Sequence, residues 1–337
     1  MKVLLYFESQ DKMKKSGIGR AMRHQMQALT SAGVDFTIDP KDKTYDMVHI
    51  NTTWNKSKRL LKKCNKKGIP AIVHGHSTIE DFKNSFALWP LVAKVWYNKQ
   101  ILFMYKNADF IITPTPYSKK LIDSYNLGTP TVDLSNGISL QDYAKDENKV
   151  EEFKKYFGIK DEKVVIGIGY PFERKGIHDF FEIARKNPNI KFMWFGHLER
   201  ILMSNKIKRA IKNKPDNAIM SGYIDNAIIK GAMQYATCLL FPSYEETEGI
   251  VVLEALASHC PLLIRRIGVY DQWLEEDKNC LMASNNDEFN EKLQLLLNND
   301  FKSMTEEGYK VVQERTLEIV GQKLKEIYTD FYNTYKR

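Results

Sequence analysis

Residues 238–257 read CLLFPSYEETEGIVVLEALA, and the hydrophobic pattern changes period in the middle. CLLF is a short apolar run closed by Pro242 and Ser243, as a buried strand ends. GIVVLEALA repeats its apolar residues at helical spacing, with Gly249 near its start. A strand that leaves through a polar loop into a helix is half of a βαβ unit, so the stretch predicts a parallel sheet covered by helices. It also puts four carboxylates, Glu245, Glu246, Glu248 and Glu254, into an apolar context where unpaired acids are costly. The first three fall in the loop or first helical turn, at the strand end where ligands of such sheets bind. Glu246 and Glu254 are eight apart, roughly 80° out of register in one continuous helix. A loop–helix junction between them lets both reach one ligand from different levels. The helix start offers free N–H groups at Gly249 and Ile250, a ready anion site. Glu245, Glu246 and Glu248 also suit a plain helix start, where negative charge is favourable.

The alternation extends over the chain. Strands are expected at 2–7, 47–50, 71–76, 110–114 and 131–135, with helical stretches near 18–32, 55–67, 80–107 and 117–125. Residues 141–162 are highly charged around one short amphipathic helix and read as a linker region. Strands resume at 163–170, 191–196, 218–224, 238–243 and 261–266. The expected fold is therefore α/β, with two doubly wound domains, 1–140 and 163–316, facing each other across a cleft. A chain of 337 residues suits two domains.

Composition narrows the function classes. The cysteines, Cys64, Cys238, Cys260 and Cys280, form no CxxC pair, which argues for a reducing compartment and against a structural zinc site. No segment is long and apolar enough to span a bilayer, and MKVLLYF reads as a first strand rather than a signal core. A cytoplasmic location is expected. The net charge of +8 is lopsided: residues 1–140 hold 21 Lys+Arg against 11 Asp+Glu, the remainder 29 against 31. Such asymmetry fits an anionic partner for the first half, and equally chance charge on solvated helices.

Three further motifs carry chemistry. In 167-GIGYPFERKGIHDF-180 a glycine-rich strand exit at Gly169 precedes adjacent cations, Arg174 and Lys175, which suit a diphosphate. The segment 13-MKKSGIGRAMRHQMQAL-29 has Gly17 and Gly19 but Met22 where a dinucleotide fingerprint needs its third glycine. In 71-AIVHGHSTIEDF-82 strand alternation sends His74 and His76 to one side; no third ligand at metal spacing accompanies them. His49, at the preceding strand end, is a secondary candidate.

These residues resemble the retaining family-4 glycosyltransferases. FPSYEETEGIVVLEALA is similar to their E-x7-E signature, with Glu248 where an aromatic usually stands, and Lys175-Gly176 match the end of their G-R-x(4)-K-G element, with Tyr170 in the Arg position. The resemblance implies the GT-B architecture of two Rossmann-like domains. It implies that Glu246 contacts the transferred sugar, Glu254 the nucleotide ribose, and the Gly249 and Ile250 amides the donor phosphates. Ser16, Gly17, Gly19 and Arg20 would form the glycine-rich first loop beside those phosphates. His76 would contact the transferred sugar or its phosphate. Arg174 and Lys175 would stabilise the departing diphosphate. The segments 107-NADFIITPTPYSKKLI-122 and 134-LSNGIS-139 agree with further family elements.

On the acceptor side, 54-WNKSKRLLKKCNKKG-68 carries seven cations, among them Lys56, Arg59, Lys62 and Lys63, beside Trp54. The stretch 84–106 interleaves lysine with aromatics, including Trp89 and Trp96. Both patterns suit an anionic membrane surface, and both suit ordinary outer helices. No nucleic-acid motif accompanies the charge. The chain as a whole resembles bacterial synthases of diglycosyl-diacylglycerol, which add a second hexose to monoglucosyl-diacylglycerol to make a glycolipid anchor for lipoteichoic acid. That implies a UDP-glucose or UDP-galactose donor, a glycolipid acceptor, no metal or other cofactor, and peripheral attachment to the inner face of the membrane. The final helix, 317–337, would cross back onto the first domain. A soluble or polysaccharide acceptor on the same fold, and a non-catalytic UDP-sugar-binding module, are the alternatives. The oligomeric state is left open.

Overall fold

The apolar runs become two six-stranded sheets in a computed structural model that describes residues 1–10, 17–83 and 91–335. Ser16 and Trp89 lie outside the described residues. The first sheet holds β1 (Lys2–Tyr6), β2 (Asp35–Thr37), β3 (Met47–Ile50), β4 (Ala71–His74), β5 (Phe110–Thr113) and β6 (Thr131–Asp133), in the order β2-β1-β3-β4-β5-β6. The second holds β7 (Val164–Ile168), β8 (Lys191–Phe195), β9 (Ala218–Gly222), β10 (Cys238–Phe241), β11 (Leu262–Arg265) and β12 (Leu281–Ala283), in the order β12-β11-β10-β7-β8-β9. Neighbouring strands run parallel in both. The second sheet has the doubly wound Rossmann order, and its direction of winding reverses between β7 and β10. In the first sheet the reversal lies between β1 and β3.

Strands β3, β4, β7, β10 and β11 are buried along their whole length, as continuous apolar runs under helices on both faces should be. The ten expected strands are all present. Two more, β2 and β12, are three residues long and show no alternation that would mark them.

The described residues group into two units. The first takes in those between Met1 and Glu80, between Trp89 and Ser139, and from Glu314 onward; the second is Leu140–Gln313 with the short stretch that begins at Asp81. The segment 141–162, expected as a linker region, is instead an integral part of the second unit. Its helix Glu147–Phe157 buries Phe153 completely and packs on the helix Asn226–Tyr235. The contact is so close that a Cβ on Gly231 would lie 2.0 Å from the Lys149 carbonyl oxygen. Charge on the outer face hides this single buried stripe in the sequence.

The helix Leu317–Tyr335 packs along the helix Gly17–Ser31 of the first unit. Leu317, Val320, Leu324 and Tyr328 enter the same core as Val3, Leu5, Met47 and Ile112. Glycine is needed at position 321, where a Cβ would stand 2.0 Å from the Ala28 carbonyl oxygen. Among the described residues no helix is long and apolar enough to cross a membrane.

Candidate active site

In the second unit the two strands that flank the winding reversal deliver the motifs. Beyond β7 the chain turns through a single 3-10 turn, Glu173–Lys175, closed by Gly176 at φ 68°. A Cβ at Gly176 would come within 2.3 Å of the Pro242 carbonyl oxygen, so only glycine lets this turn rest on the end of β10. Gly169, at the strand exit, faces the stem of Lys175, whose Cδ is 3.6 Å from where a Cβ would be.

The Lys175 ammonium meets Glu246 Oε1 directly and sits 5.1 Å from the centre of the Phe241 ring. Ser243 Oγ donates to the same carboxylate oxygen at 2.6 Å. Arg174 Nη1 lies 3.6 Å from that oxygen, donates to the Glu245 carbonyl at 2.9 Å, and pairs with Asp81, which packs with the second unit, at 3.1 Å. The Tyr244 amide donates to the Arg174 carbonyl at 2.7 Å, fastening the two loops. Burial opposes the charged form of Glu246, but the Lys175 and Arg174 charges outweigh it and hold the carboxyl below its ordinary value. The carboxylate is therefore ionised at neutral pH. Beneath it, buried Arg265 bonds Asp179 at 3.0 Å, the Pro242 carbonyl at 3.0 Å and the Ser284 carbonyl at 3.1 Å, with its guanidinium over the Tyr244 ring. This fixes the end of β10 in place.

The helix Ile250–Ala257 starts at Gly249, whose φ of 82° is left-handed and whose position carries no side-chain cap. Glu246, Glu248 and Glu254 are all buried and Glu245 is half-buried. Of the three acids that would suit a plain helix start, Glu246 and Glu248 are thus withdrawn from solvent and only Glu245 is partly exposed. Glu246 is three residues before the cap and Glu254 sits within the helix, so the loop–helix junction separates them as the spacing requires.

In the first unit His49, His74 and His76 form one row. His74 and His76 stack at 3.9 Å between ring centres, and His49 stacks on His74 at 5.2 Å. The Gln25 side-chain nitrogen Nε2, which can only donate, lies 3.0 Å from His49 Nδ1, with the Tyr328 hydroxyl at 2.6 Å. Nδ1 is then an acceptor, the proton sits on Nε2, and it is donated to His74 Nδ1 at 3.2 Å. At the far end His76 Nε2 donates to Asn51 Oδ1 at 3.0 Å. Burial pushes His49 and His76 down to about 3, and His74 well below its ordinary value, so the row is neutral at physiological pH. Gly17, Gly19 and Arg20 open the helix that also carries Gln25.

The basic helix Asn55–Lys67 turns Ser57, Leu61 and Cys64 inward and leaves Lys56, Arg59, Lys62 and Lys63 exposed. Lys58 is drawn onto Gln100 and the Phe103 ring instead. Trp54 is half-buried at the helix start, whereas Trp96 is 44% exposed on the helix Leu91–Lys106. A cavity of about 490 Å³ lies between Phe110, Pro130 and the helix residues Ile327, Phe331 and Tyr335. It opens at the amino ends of β5 and β6, away from the strand exits, and holds none of the site residues.

The structure thus brings Gly169, Arg174, Lys175, Glu246 and Gly249 together in one unit, and the three histidines in the other. Sequence reasoning missed Ser243, Gln25, Asn51, Tyr328 and the Arg265–Asp179 pair. Ser243 closes a strand at the winding reversal and was open to detection; the others carry no local signal.

Similarity to known proteins identifies the family. The model of glycosyl transferases group 1 matches residues 148–311, and that of glycosyltransferase family 4 matches residues 40–142. The processive diacylglycerol alpha-glucosyltransferase of Acholeplasma laidlawii is 50% identical over 333 residues, 98% of each chain. The chain belongs to the family-4 glycosyltransferases. Another relative of this glycosyltransferase, the alpha-monoglucosyldiacylglycerol synthase of the same organism, is 28% identical over 72% of this chain and 64% of its own. Among solved structures, Anabaena Alr3699/HepE in complex with UDP-glucose superposes with a TM-score of 0.78 at 14% identity, over 98% of this chain and 100% of that one. Sucrose-phosphate synthase from Thermosynechococcus elongatus gives 0.82 at 16% identity, over 99% and 100%. At such identities the likeness speaks for the fold, which is GT-B. The enzyme is a hexosyltransferase.

Proposed function

We propose that this enzyme transfers glucose from UDP-glucose, with retention at the anomeric carbon, to a diacylglycerol-based membrane lipid. α-Monoglucosyl-diacylglycerol would be the acceptor that yields the diglucosyl product. The observation that carries this reading is the end-to-end 50% identity with a processive diacylglycerol alpha-glucosyltransferase. That relative's activity supports glucose as the donor sugar in this proposal, and diacylglycerol itself as a further acceptor for a first transfer.

The site in the second unit suits the donor half of the reaction. The bond from the anomeric carbon to the β-phosphate oxygen breaks with its electron pair on oxygen. Lys175, Arg174 and the amides at Gly249 and Ile250 would bind that growing charge. Glu246, ionised beside them, would accept hydrogen bonds from the sugar hydroxyls, and Glu254 from the ribose. The acceptor hydroxyl attacks the face that the diphosphate leaves, and its proton passes to the departing phosphate. Lysine and arginine supply the positive charge that other transferases take from a metal ion, so transfer should persist in EDTA. His76, and the helix start at Gly17, Gly19 and Arg20, are assigned to the donor by family resemblance. The exposed cations of the helix Asn55–Lys67, with Trp96, would hold the enzyme on anionic lipid at the inner face of the membrane.

The test is transfer from radiolabelled UDP-glucose and UDP-galactose to vesicles holding diacylglycerol or α-monoglucosyl-diacylglycerol, with product linkage determined. Mono- and diglucosyl lipids formed from UDP-glucose support the proposal. Transfer only to a soluble sugar, or UDP binding with no transfer, overturns it.

A further inference from the structure

Tyr270 is completely buried, and its hydroxyl has no hydrogen-bond partner. Leaving such a group unsatisfied in the interior is costly, so its surroundings indicate what it awaits. A Cβ on Gly249 would stand 3.2 Å from this oxygen and 3.8 Å from Glu246 Cγ. The hydroxyl therefore looks onto the uncapped start of the helix Ile250–Ala257, on the flank of the residue that carries Glu246. The ring cannot swing away: Tyr270 packs edge-on against Trp273, its amide donates to the Ile267 carbonyl, and its carbonyl accepts from Leu274.

We propose that the Tyr270 hydroxyl donates a hydrogen bond to a diphosphate oxygen of the nucleotide-sugar, completing an anion cradle with the N–H groups at the start of the helix. This deepens the donor-site reading above and rests on it. The groups nearest this point are orphan helix-start amides at the positive end of a helix and a phenol, with the Glu246 side chain beside them. Burial, with the charges of Glu246 and Glu245, pushes the phenol well above its ordinary value, so it keeps its proton and can only be useful as a donor here. A diphosphate brings several oxygens that only accept and so satisfies the amides and the phenol together; a sugar hydroxyl that donates to Glu246 brings only one. Glycine at 249, left-handed at φ 82°, puts no side chain between this hydroxyl and the helix start.

The experiment is calorimetric binding of UDP and of uridine to the whole enzyme and to Tyr270→Phe, with thermal melting of both in the absence of ligand. Phenylalanine keeps the ring and removes only the unsatisfied oxygen. The expected result is an unliganded melting temperature unchanged or raised, UDP binding weakened about 10-fold or more, and uridine binding unaltered. UDP binding equal to that of the unaltered enzyme overturns the inference alone. Equal weakening of UDP and uridine also overturns it, because the phosphates would not be what the hydroxyl reads. If the unaltered enzyme does not bind UDP, the donor reading falls and this inference falls with it.

Discussion

At the scale of single residues, Glu246 is the one on which most depends. Glu246→Gln keeps the shape and the Ser243 contact but removes the charge facing Lys175. Turnover should fall by about 10²–10³, measured as kcat with saturating UDP-glucose. A stability loss on the order of 1–3 kcal/mol should accompany it, because half-buried Lys175 is left beside a neutral amide. Full turnover in the variant would remove Glu246 from the site. Glu246, Lys175 and Gly249 were legible in the sequence because spacing and residue type suffice: a strand exit, a loop and a helix start fix where such groups must lie. Glu248 was legible as an acid but not as a buried one. Tyr328 could not be read, since its partner His49 is 279 positions away and only tertiary packing makes them neighbours. Tyr270 likewise offers one aromatic among many until its unpartnered hydroxyl beside Gly249 is seen.

Elements show the same division. Long apolar runs declared the central strands, whereas β2 and β12 have too few residues to show a period. The segment 141–162 looked like a linker because charge dominates it, yet one buried face decides where it packs. The helix Leu317–Tyr335 depends on Gly321 for its approach to the helix Gly17–Ser31. Gly321→Ala must push these helices apart against backbone, not against a yielding side chain, and should cost about 1–3 kcal/mol. Urea unfolding would read this as a loss confined to the first unit's transition. The basic helix Asn55–Lys67 gives a prediction of its own. Sedimentation with anionic vesicles should weaken as salt rises and the Debye length shrinks from about 30 Å to about 8 Å. Lys62→Glu with Lys63→Glu should cut binding at least about 10-fold. Equal binding to neutral vesicles at every salt concentration would exclude an electrostatic dock.

For the whole molecule, the neutral histidine row sets an acid limit. His49 and His76 protonate near 3 in the folded chain but near 6.5 when it unfolds, so between those values the unfolded chain binds more protons. The stabilisation is complete above about pH 6.5 and drains away as pH falls toward 3. Each histidine contributes up to about 1.4 kcal/mol per pH unit, and the urea midpoint of the first unit should drop accordingly between pH 7 and 5. A midpoint flat across that range would mean the row is hydrated. The path of the chain has a consequence for synthesis. The first unit leaves off at Ser139 and resumes only at Glu314, and Leu317, Val320, Leu324 and Tyr328 belong to its core. On a ribosome the amino-terminal unit must therefore wait, with that face of its core uncovered, until the whole of the second unit has emerged. The usual order, in which the first domain made is the first to finish folding, is reversed here, and a nascent chain arrested before residue 314 should draw chaperones to its oldest part.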